Sequence, residues 1–168
     1  MSAGLAGSVE RIRFNFDVGH DRTRGFDAQP GLTAGRLGDR DGWRNDYANG
    51  SLSVGFRERD EIGISHWQTD GRNWYDNSWS PNFDSYIDKR SKSTSLQMQN
   101  QLRPGWQSTV RLGQSNDVSH NRGSASPASE FETVQRQFMW QHDIDLPRGD
   151  LMLAYERLIQ RIESTSPY

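Results

Sequence analysis

The sequence predicts an all-β protein whose antiparallel strands follow one another up and down. Two observations predict this fold class: a side-chain period of two that recurs along the chain, and an alternation of very tight turns with long polar loops. Period two is the alternation of a strand with one apolar and one polar face. Short connections on one rim and long ones on the other are typical of a transmembrane β-barrel of the outer-membrane type.

The alternation is clearest near the N-terminus, where Ile12, Phe14, Phe16 and Val18 are separated by polar residues. Extending the pattern along the chain predicts about seven strands, at Ser8–His20, Arg44–Arg57, Asp60–Arg72, Ser91–Arg103, Trp106–Val118, Glu130–Ile144 and Asp150–Ile162. Each reaches the roughly 9–11 residues that a tilted strand needs to cross a bilayer. The residues before the first strand, Met1–Gly7, are expected to be irregular, and the last segment also suits a helix face.

The connections fall into two groups. Tight turns are predicted at Arg57–Asp60, Arg103–Gly105 and Leu146–Gly149. Long polar loops are predicted at His20–Gly42, Thr69–Arg90 and Ser115–Ser129.

The strand count predicts a partial barrel. Bacterial barrels of this type close on an even number of strands, and the final residues Ser164–Tyr168 lack alternation and include a proline. We therefore expect residues 1–168 to form one partial β-barrel domain, a segment of a larger barrel whose edges would carry unpaired backbone groups. No signal peptide is evident, so a processed or excised segment is expected.

The composition agrees with this fold class. Hydrophobic residues make up only 32% of the 168 residues, and the mean hydropathy is −0.93, which makes a large apolar core doubtful. Disorder is the competing explanation for such a composition. The aromatic content of 11%, which includes six tryptophans, and the regular alternation argue against disorder.

Several functional classes are disfavoured by the sequence. The net charge of −2 provides no basic surface for nucleic acid, and the absence of cysteine excludes disulfides and thiolate chemistry. No apolar run approaches the roughly 20 residues of a membrane-spanning helix. Neither a G-x-S-x-G elbow nor a glycine-rich phosphate loop is present, and Glu130 and Glu132 are explained as lumen-facing residues. We therefore expect no enzymatic activity.

Two of the predicted loops are acidic. The first carries Asp27, Asp39 and Asp41, and the second carries Asp76 and Asp88. Calcium binds six to eight oxygen ligands, and carboxylates spaced one residue apart can point at one ion. Aspartate in loops is also a common turn former, and the twelve-residue pattern of an EF-hand is missing. The residues alone leave both interpretations open.

Together, five motifs resemble a known family. They are Gly25-Phe26-Asp27, Asp39-Arg40-Asp41-Gly42-Trp43, Trp74-Tyr75-Asp76, Ser80-Pro81 and Asp88-Lys89-Arg90. Their order and spacing are similar to those of the outer-membrane cobalamin (vitamin B12) receptors, which are TonB-dependent transporters. The resemblance spans most of the chain and implies a segment of a 22-stranded barrel that is closed by a plug domain.

The resemblance also implies site residues. In the family, aspartates of two extracellular loops bind calcium, which orders the loops for corrinoid capture. The implied calcium ligands here are Asp27, Asp39, Asp41, Tyr75, Asp76 and Asp88. The first acidic loop is slightly shorter than in the family. The plug is missing from the 168 residues, so contact with TonB is expected only through that absent domain.

Aromatic residues crowd the same two loops. Trp74, Tyr75 and Trp79 are candidates for a platform that binds a flat ligand such as a corrin ring. The alternative is the aromatic girdle that outer-membrane barrels carry at the headgroup level. That girdle is the preferred interpretation for Trp43, Trp67 and Trp106.

The resulting expectation is a fragment of a bacterial outer-membrane receptor for active uptake of cobalamin, in contact with outer-membrane lipid. One alternative keeps the architecture and replaces the cargo with a siderophore or another nutrient. A second alternative is a soluble calcium-dependent β-sheet binding module. A fragment with no independent activity is compatible with the first expectation.

Overall fold

The computed structural model describes residues 1–27 and 40–165 of the chain. Within these residues, eight strands form one antiparallel sheet in which every strand pairs with its neighbours in sequence. The strands are β1 (Ser2–Val9), β2 (Ile12–Thr23), β3 (Trp43–Gly55), β4 (Glu61–Tyr75), β5 (Ser85–Arg103), β6 (Trp106–Arg122), β7 (Ser129–Leu146) and β8 (Gly149–Ser164). The prediction of an all-β protein with up-and-down antiparallel strands is confirmed.

Short turns lie on one rim of the sheet and longer loops on the other. Two-residue connections follow β1, β5 and β7, and five residues, 56–60, join β3 to β4. Gly105, in the turn after β5, has a φ of 73°, a left-handed conformation that glycine adopts without strain. The tight turns predicted at 57–60, 103–105 and 146–149 are therefore confirmed.

The prediction for the N-terminus is wrong. Residues 2–9 form β1, where an irregular lead-in was expected, and the turn at Glu10 and Arg11 interrupts the predicted strand Ser8–His20. The apolar positions of β1 include Ala3 and Gly7, which differ little in hydrophobicity from their polar neighbours, so the period of two is weak there. Pairing with β2, from Ser2 opposite Gly19 to Val9 opposite Ile12, holds this segment extended.

The predicted loops are too long. β4 continues to Tyr75 and β5 begins at Ser85, so most of the predicted loop Thr69–Arg90 is strand. The predicted loop Ser115–Ser129 shrinks to residues 123–128 in the same way. The last segment is a strand and not a helix, with β8 paired to β7 along its whole length.

Cross-strand register sorts the side chains into rows that run across the sheet. The first apolar row contains Ile12, Val54, Ile62, Met98, Val110, Trp140 and Tyr155. The second apolar row, one step towards the loops, contains Phe14, Leu52, Ile64, Leu96, Leu112 and Phe138. We call the side of the sheet that carries these rows the apolar face.

The opposite side is the polar face. A representative row there contains Asn15, Ser51, Ser65, Ser95, Gly113 and Gln137. The two faces alternate residue by residue, as a pleated strand requires.

The sheet is a single layer without an apolar core. Among the described residues, no hydrophobic side chain is buried. Members of both apolar rows are among the exposed large hydrophobic residues, with Ile64 at 48% and Tyr155 at 57%. Aqueous globular domains seldom expose so continuous an apolar surface.

The sheet is open. Within residues 1–27 and 40–165, β1 and β8 each pair with one strand and do not pair with each other. Closure into a barrel and a total of 22 strands stay predictions. In the same residues there is no helix with the length and apolarity needed to span a membrane.

Candidate functional site

The candidate site lies at the loop rim, where the stems of the two acidic loops meet. The amide of Asp41 donates a hydrogen bond to the carbonyl of Phe26 at 3.1 Å, which joins the two ends of the β2–β3 connection. The amide of Trp74 donates to the carbonyl of Gly42 at 3.0 Å. These two bonds continue the β2–β3–β4 pairing beyond the strand ends and bring the first acidic loop beside the second.

Gly25 makes this close approach possible. Its φ is 61°, and a Cβ at this position would lie 1.9 Å from the carbonyl oxygen of Asp41. A larger side chain would push the two stems apart, so the backbone contact requires glycine here.

Three of the predicted calcium ligands lie at this corner. Asp27 and Asp41 flank the Phe26–Asp41 backbone bond, and Asp76 follows directly after β4. Asp39 lies outside the described residues. Residues 1–27 and 40–165 contain no group of three or more histidine, aspartate or glutamate side chains arranged to hold a metal ion. The described side chains therefore do not by themselves form a calcium centre, and calcium binding stays a prediction.

Asp88 has a different partner. Its two carboxylate oxygens accept hydrogen bonds from Nε and Nη2 of Arg72, at 2.6 and 2.8 Å. This bidentate bond lowers the pKa of Asp88 below its ordinary value of 3.8, against an opposing effect of partial burial, and raises the pKa of Arg72. The guanidinium also stacks over the ring of Tyr86 at 3.9 Å, so Asp88 belongs to an ion pair in this structure.

The three predicted ligand-binding aromatics are not brought together. Trp74 lies on the apolar face, opposite Tyr86, with the guanidinium groups of Arg44 and Arg72 within 6 Å of its ring centre, at 5.9 and 5.7 Å. Tyr75 lies on the polar face and donates its hydroxyl to Oδ1 of Asn121 at 2.6 Å. Trp79 is 93% exposed at the tip of the β4–β5 loop. A single aromatic platform would therefore require movement of these residues.

Of the three tryptophans predicted to form a girdle, only Trp106 lies on the apolar face, and its role in a girdle stays a prediction. Trp106 lies on the apolar face, opposite Ile144, and donates its indole N–H to Nδ1 of His142 at 3.1 Å. Trp43 and Trp67 pair with Asn73 and Asn49 on the polar face. A girdle at a lipid headgroup layer needs the apolar face, so the prediction for Trp43 and Trp67 is wrong.

Sequence reasoning missed the charged rows that follow the apolar rows towards the loops. One contains Arg22, Arg44, Arg72, Asp88, His120 and Glu130, and its neighbour contains His20, Asp46, Asp70, Arg90, Val118 and Glu132. Within these rows, an ion pair joins Arg90 to Asp70 at 2.6 Å, and a hydrogen bond joins Nδ1 of His20 to Oδ1 of Asp46 at 2.6 Å. The sequence did contain a signal for these rows, because charged residues occupy the positions at which the apolar period of two would continue.

No protein-family model matches the chain, and no curated protein is significantly similar to it.

Proposed function

We propose that this chain is part of the barrel wall of an outer-membrane TonB-dependent receptor for the active uptake of cobalamin, with calcium-binding extracellular loops. The observation that carries the proposal is the uncovered apolar face of a single-layer antiparallel sheet. In a lipid bilayer, this face would contact acyl chains and the polar face would line an aqueous lumen. The long-loop rim would then lie at the cell surface.

The shape of the apolar surface supports the membrane orientation. On β2 the apolar residues run from Ile12 of the first apolar row towards the loops, as far as Val18. On β8 they run from Tyr155 of the same row towards the short turns, as far as Leu151. The apolar band therefore crosses the strands obliquely, which is the relation expected when tilted barrel strands cross a flat bilayer.

The alternative of a soluble calcium-dependent module is less well supported. Such a module would have to cover both apolar rows to avoid association in water, and within residues 1–27 and 40–165 no second layer covers them. A receptor for a siderophore or another nutrient shares the architecture. Cobalamin rests on the resemblance of the loop motifs, so cargo and architecture need separate experiments.

The architecture is tested by labelling adjacent residues of β4. Because the chain has no cysteine, Ile64→Cys and Ser65→Cys each provide a unique site, one on each face. After refolding into vesicles of brominated phosphatidylcholine, an environment-sensitive dye at position 64 should shift to the blue and be quenched. The dye at position 65 should remain in a polar environment. Equal behaviour at both positions would contradict the proposal.

Calcium is tested by its effect on the loops. Asp27, Asp39, Asp41 and Asp76 supply hard carboxylate oxygens of the type that calcium prefers, and bound calcium would reduce the entropy cost of ordering both loops before ligand capture. Calcium should slow loop proteolysis in the native chain but not in Asp39→Ala/Asp41→Ala. The control Asp117→Ala/Asp150→Ala removes the same charge elsewhere and should keep the response. If calcium protected all three proteins equally from proteolysis, the proposal that these aspartates bind calcium would be contradicted.

The cargo is tested in the receptor to which we assign this segment. There, the exposed Trp79 would contact the corrin ring, so Trp79→Ala should weaken cyanocobalamin binding while Trp67→Ala, on the polar face, should not. Binding of a ferric siderophore in place of cyanocobalamin would favour the alternative cargo. In either case, energy transfer from TonB would pass through the plug domain and not through this wall.

A further inference from the structure

A groove of about 960 Å³ lies on the apolar face across β4 to β8. Its side nearest the short turns is apolar and includes Leu96, Leu112 and Phe138. Its side nearest the loops contains the basic and amide residues Lys92, Arg136, Gln114 and Asn116 together with Val118 and Ile159, and Arg157 lies beside Phe138. The groove therefore has an apolar and a cationic side.

The cations follow the edge of the apolar band. On β8, Arg157 pairs with Phe138, a member of the second apolar row. On β7, Arg136 lies one row further towards the loops, and on β5, Lys92 lies one row further again. This stepwise course parallels the oblique border of the band. The three charged side chains would therefore lie at a similar depth in the proposed bilayer, although they belong to different rows of the sheet.

These three cations lack internal counterions. Two other basic residues of the apolar face have acidic partners, Arg72 with Asp88 and Arg90 with Asp70. In the part of the chain that the structure describes, the side chains of Lys92, Arg136 and Arg157 are exposed and form no salt bridge with an acidic group. Adjacent unpaired cations repel one another, so the groove favours an external anion.

We propose that this groove binds the phosphate group of a membrane lipid, with the lipid's acyl chains lying on the apolar rows. The proposal rests on the proposed function, because the apolar face must contact lipid for the acyl chains to be there. Arginine and lysine bind phosphate through charge-assisted hydrogen bonds, and the amide of Gln114 lines the same groove; the amide of Asn116 donates to Oε1 of Glu132 at 2.7 Å. An anion without an apolar tail would leave Leu96, Leu112 and Phe138 uncovered, so we assign the site to a lipid phosphate and not to free phosphate.

The experiment uses the full chain refolded in dodecyl maltoside micelles, with circular dichroism to verify the β structure. Monododecyl phosphate is titrated into the micelles, and ³¹P line broadening reports its binding; inorganic phosphate and dodecyl trimethylammonium are the comparison ligands. Lys92→Gln/Arg136→Gln/Arg157→Gln should bind monododecyl phosphate on the order of a hundredfold more weakly, at about fivefold for each cation. The matched control, Arg59→Gln/Arg103→Gln/Arg148→Gln, removes three exposed arginines near the short turns and should bind as the native chain does.

The outcomes separate this inference from the proposed function. If the chain enters the micelles but binds monododecyl phosphate equally in both triple variants, the lipid-phosphate site is overturned and the membrane assignment stands. If inorganic phosphate binds as tightly as monododecyl phosphate, the acyl contribution is absent and the assignment to a lipid is overturned. If the native chain stays in water and the label at position 64 meets no lipid, both proposals fall.

Discussion

At the scale of single residues, the ion pair between Asp88 and Arg72 shows how context decides the role of a side chain. Asp88 was predicted to be a calcium ligand because it lies in the predicted loop Thr69–Arg90 and its motif resembles that of the cobalamin receptors. The structure places it inside β5, directly across from Arg72 of β4. Two parallel hydrogen bonds are stronger than a single neutral contact, so the carboxylate has a specific structural partner.

We predict that Asp88→Asn lowers the free energy of unfolding by about 1 kcal/mol at pH 7, since the pair is partly exposed and screened by water. The folded-state pKa of Asp88 is below 3.8. The contribution of the pair is therefore complete above the unfolded-state value and is lost as the pH falls through the folded-state value. Urea unfolding of both proteins between pH 7 and pH 2 measures this effect.

The control for this prediction is Asp117→Asn, which removes a carboxylate from an exposed position of β6. It should change stability by less than about 0.5 kcal/mol at either pH. A difference between Asp88→Asn and the native chain that persists unchanged at pH 2 would contradict the assignment to this ion pair.

At the scale of elements, the turn between β3 and β4 is anchored to β5. The amide of Phe56 donates to the carbonyl of Asp60 at 3.0 Å, which closes the turn. Asp60 is only 4% exposed, and its Oδ1 accepts a hydrogen bond from the amide of Gln101 at 2.7 Å. The pairing of β5 with β6 shifts register between Gln101 and Arg103, so Asp60 satisfies a donor at a local irregularity.

We predict that Asp60→Ala lowers the free energy of unfolding by about 1–3 kcal/mol, because the Gln101 amide loses its acceptor. Faster hydrogen exchange at Gln101 should accompany the loss. Glu58→Ala, in the same turn and exposed, should be neutral to within about 0.5 kcal/mol. Equal effects of the two substitutions would show that Asp60 does not anchor the turn.

The elements were predictable to different extents. Alternation and the Pro-Gly turn at 104–105 were sufficient to place β2–β8, because local pattern and turn chemistry agree there. β1 was missed because alanine and glycine occupy positions of its apolar face. The loop-side ends of β4, β5 and β6 were missed because charges occupy the apolar positions, and only cross-strand pairing reveals that these residues remain in the sheet.

At the scale of the whole molecule, the two faces of the sheet should respond differently to charge. If the apolar face contacts lipid, Met98→Arg in the first apolar row places a charge in the hydrocarbon layer and should cost about 2 kcal/mol. Ser93→Arg, on the polar face of the same strand, should be close to neutral. Urea titration of the chain folded in vesicles compares the two, and equal costs would argue against a lipid-facing apolar surface.

The candidate site was less predictable than the fold. The corner that joins Asp41 to Trp74 depends on two backbone bonds between residues that are 15 and 32 positions apart, which no local pattern reports. Sequence spacing suggested that Trp74 and Tyr75 could act together. Adjacent residues of a strand point to opposite faces, and the extension of β4 to Tyr75 separates them.

The length of the strands has one further consequence. β5 contains 19 residues and is about 63 Å long at roughly 3.3 Å per residue, whereas the hydrocarbon contact of an outer-membrane protein is about 25 Å tall. If the apolar face contacts lipid, strands tilted by roughly 40° would place about 33 Å of their length in this layer, so close to half of the wall would project from the bilayer as a stiff, hydrated collar. Changes in lipid chain length would then affect the part of the wall within the bilayer, and the loops at the far end of the strands would keep their mutual arrangement.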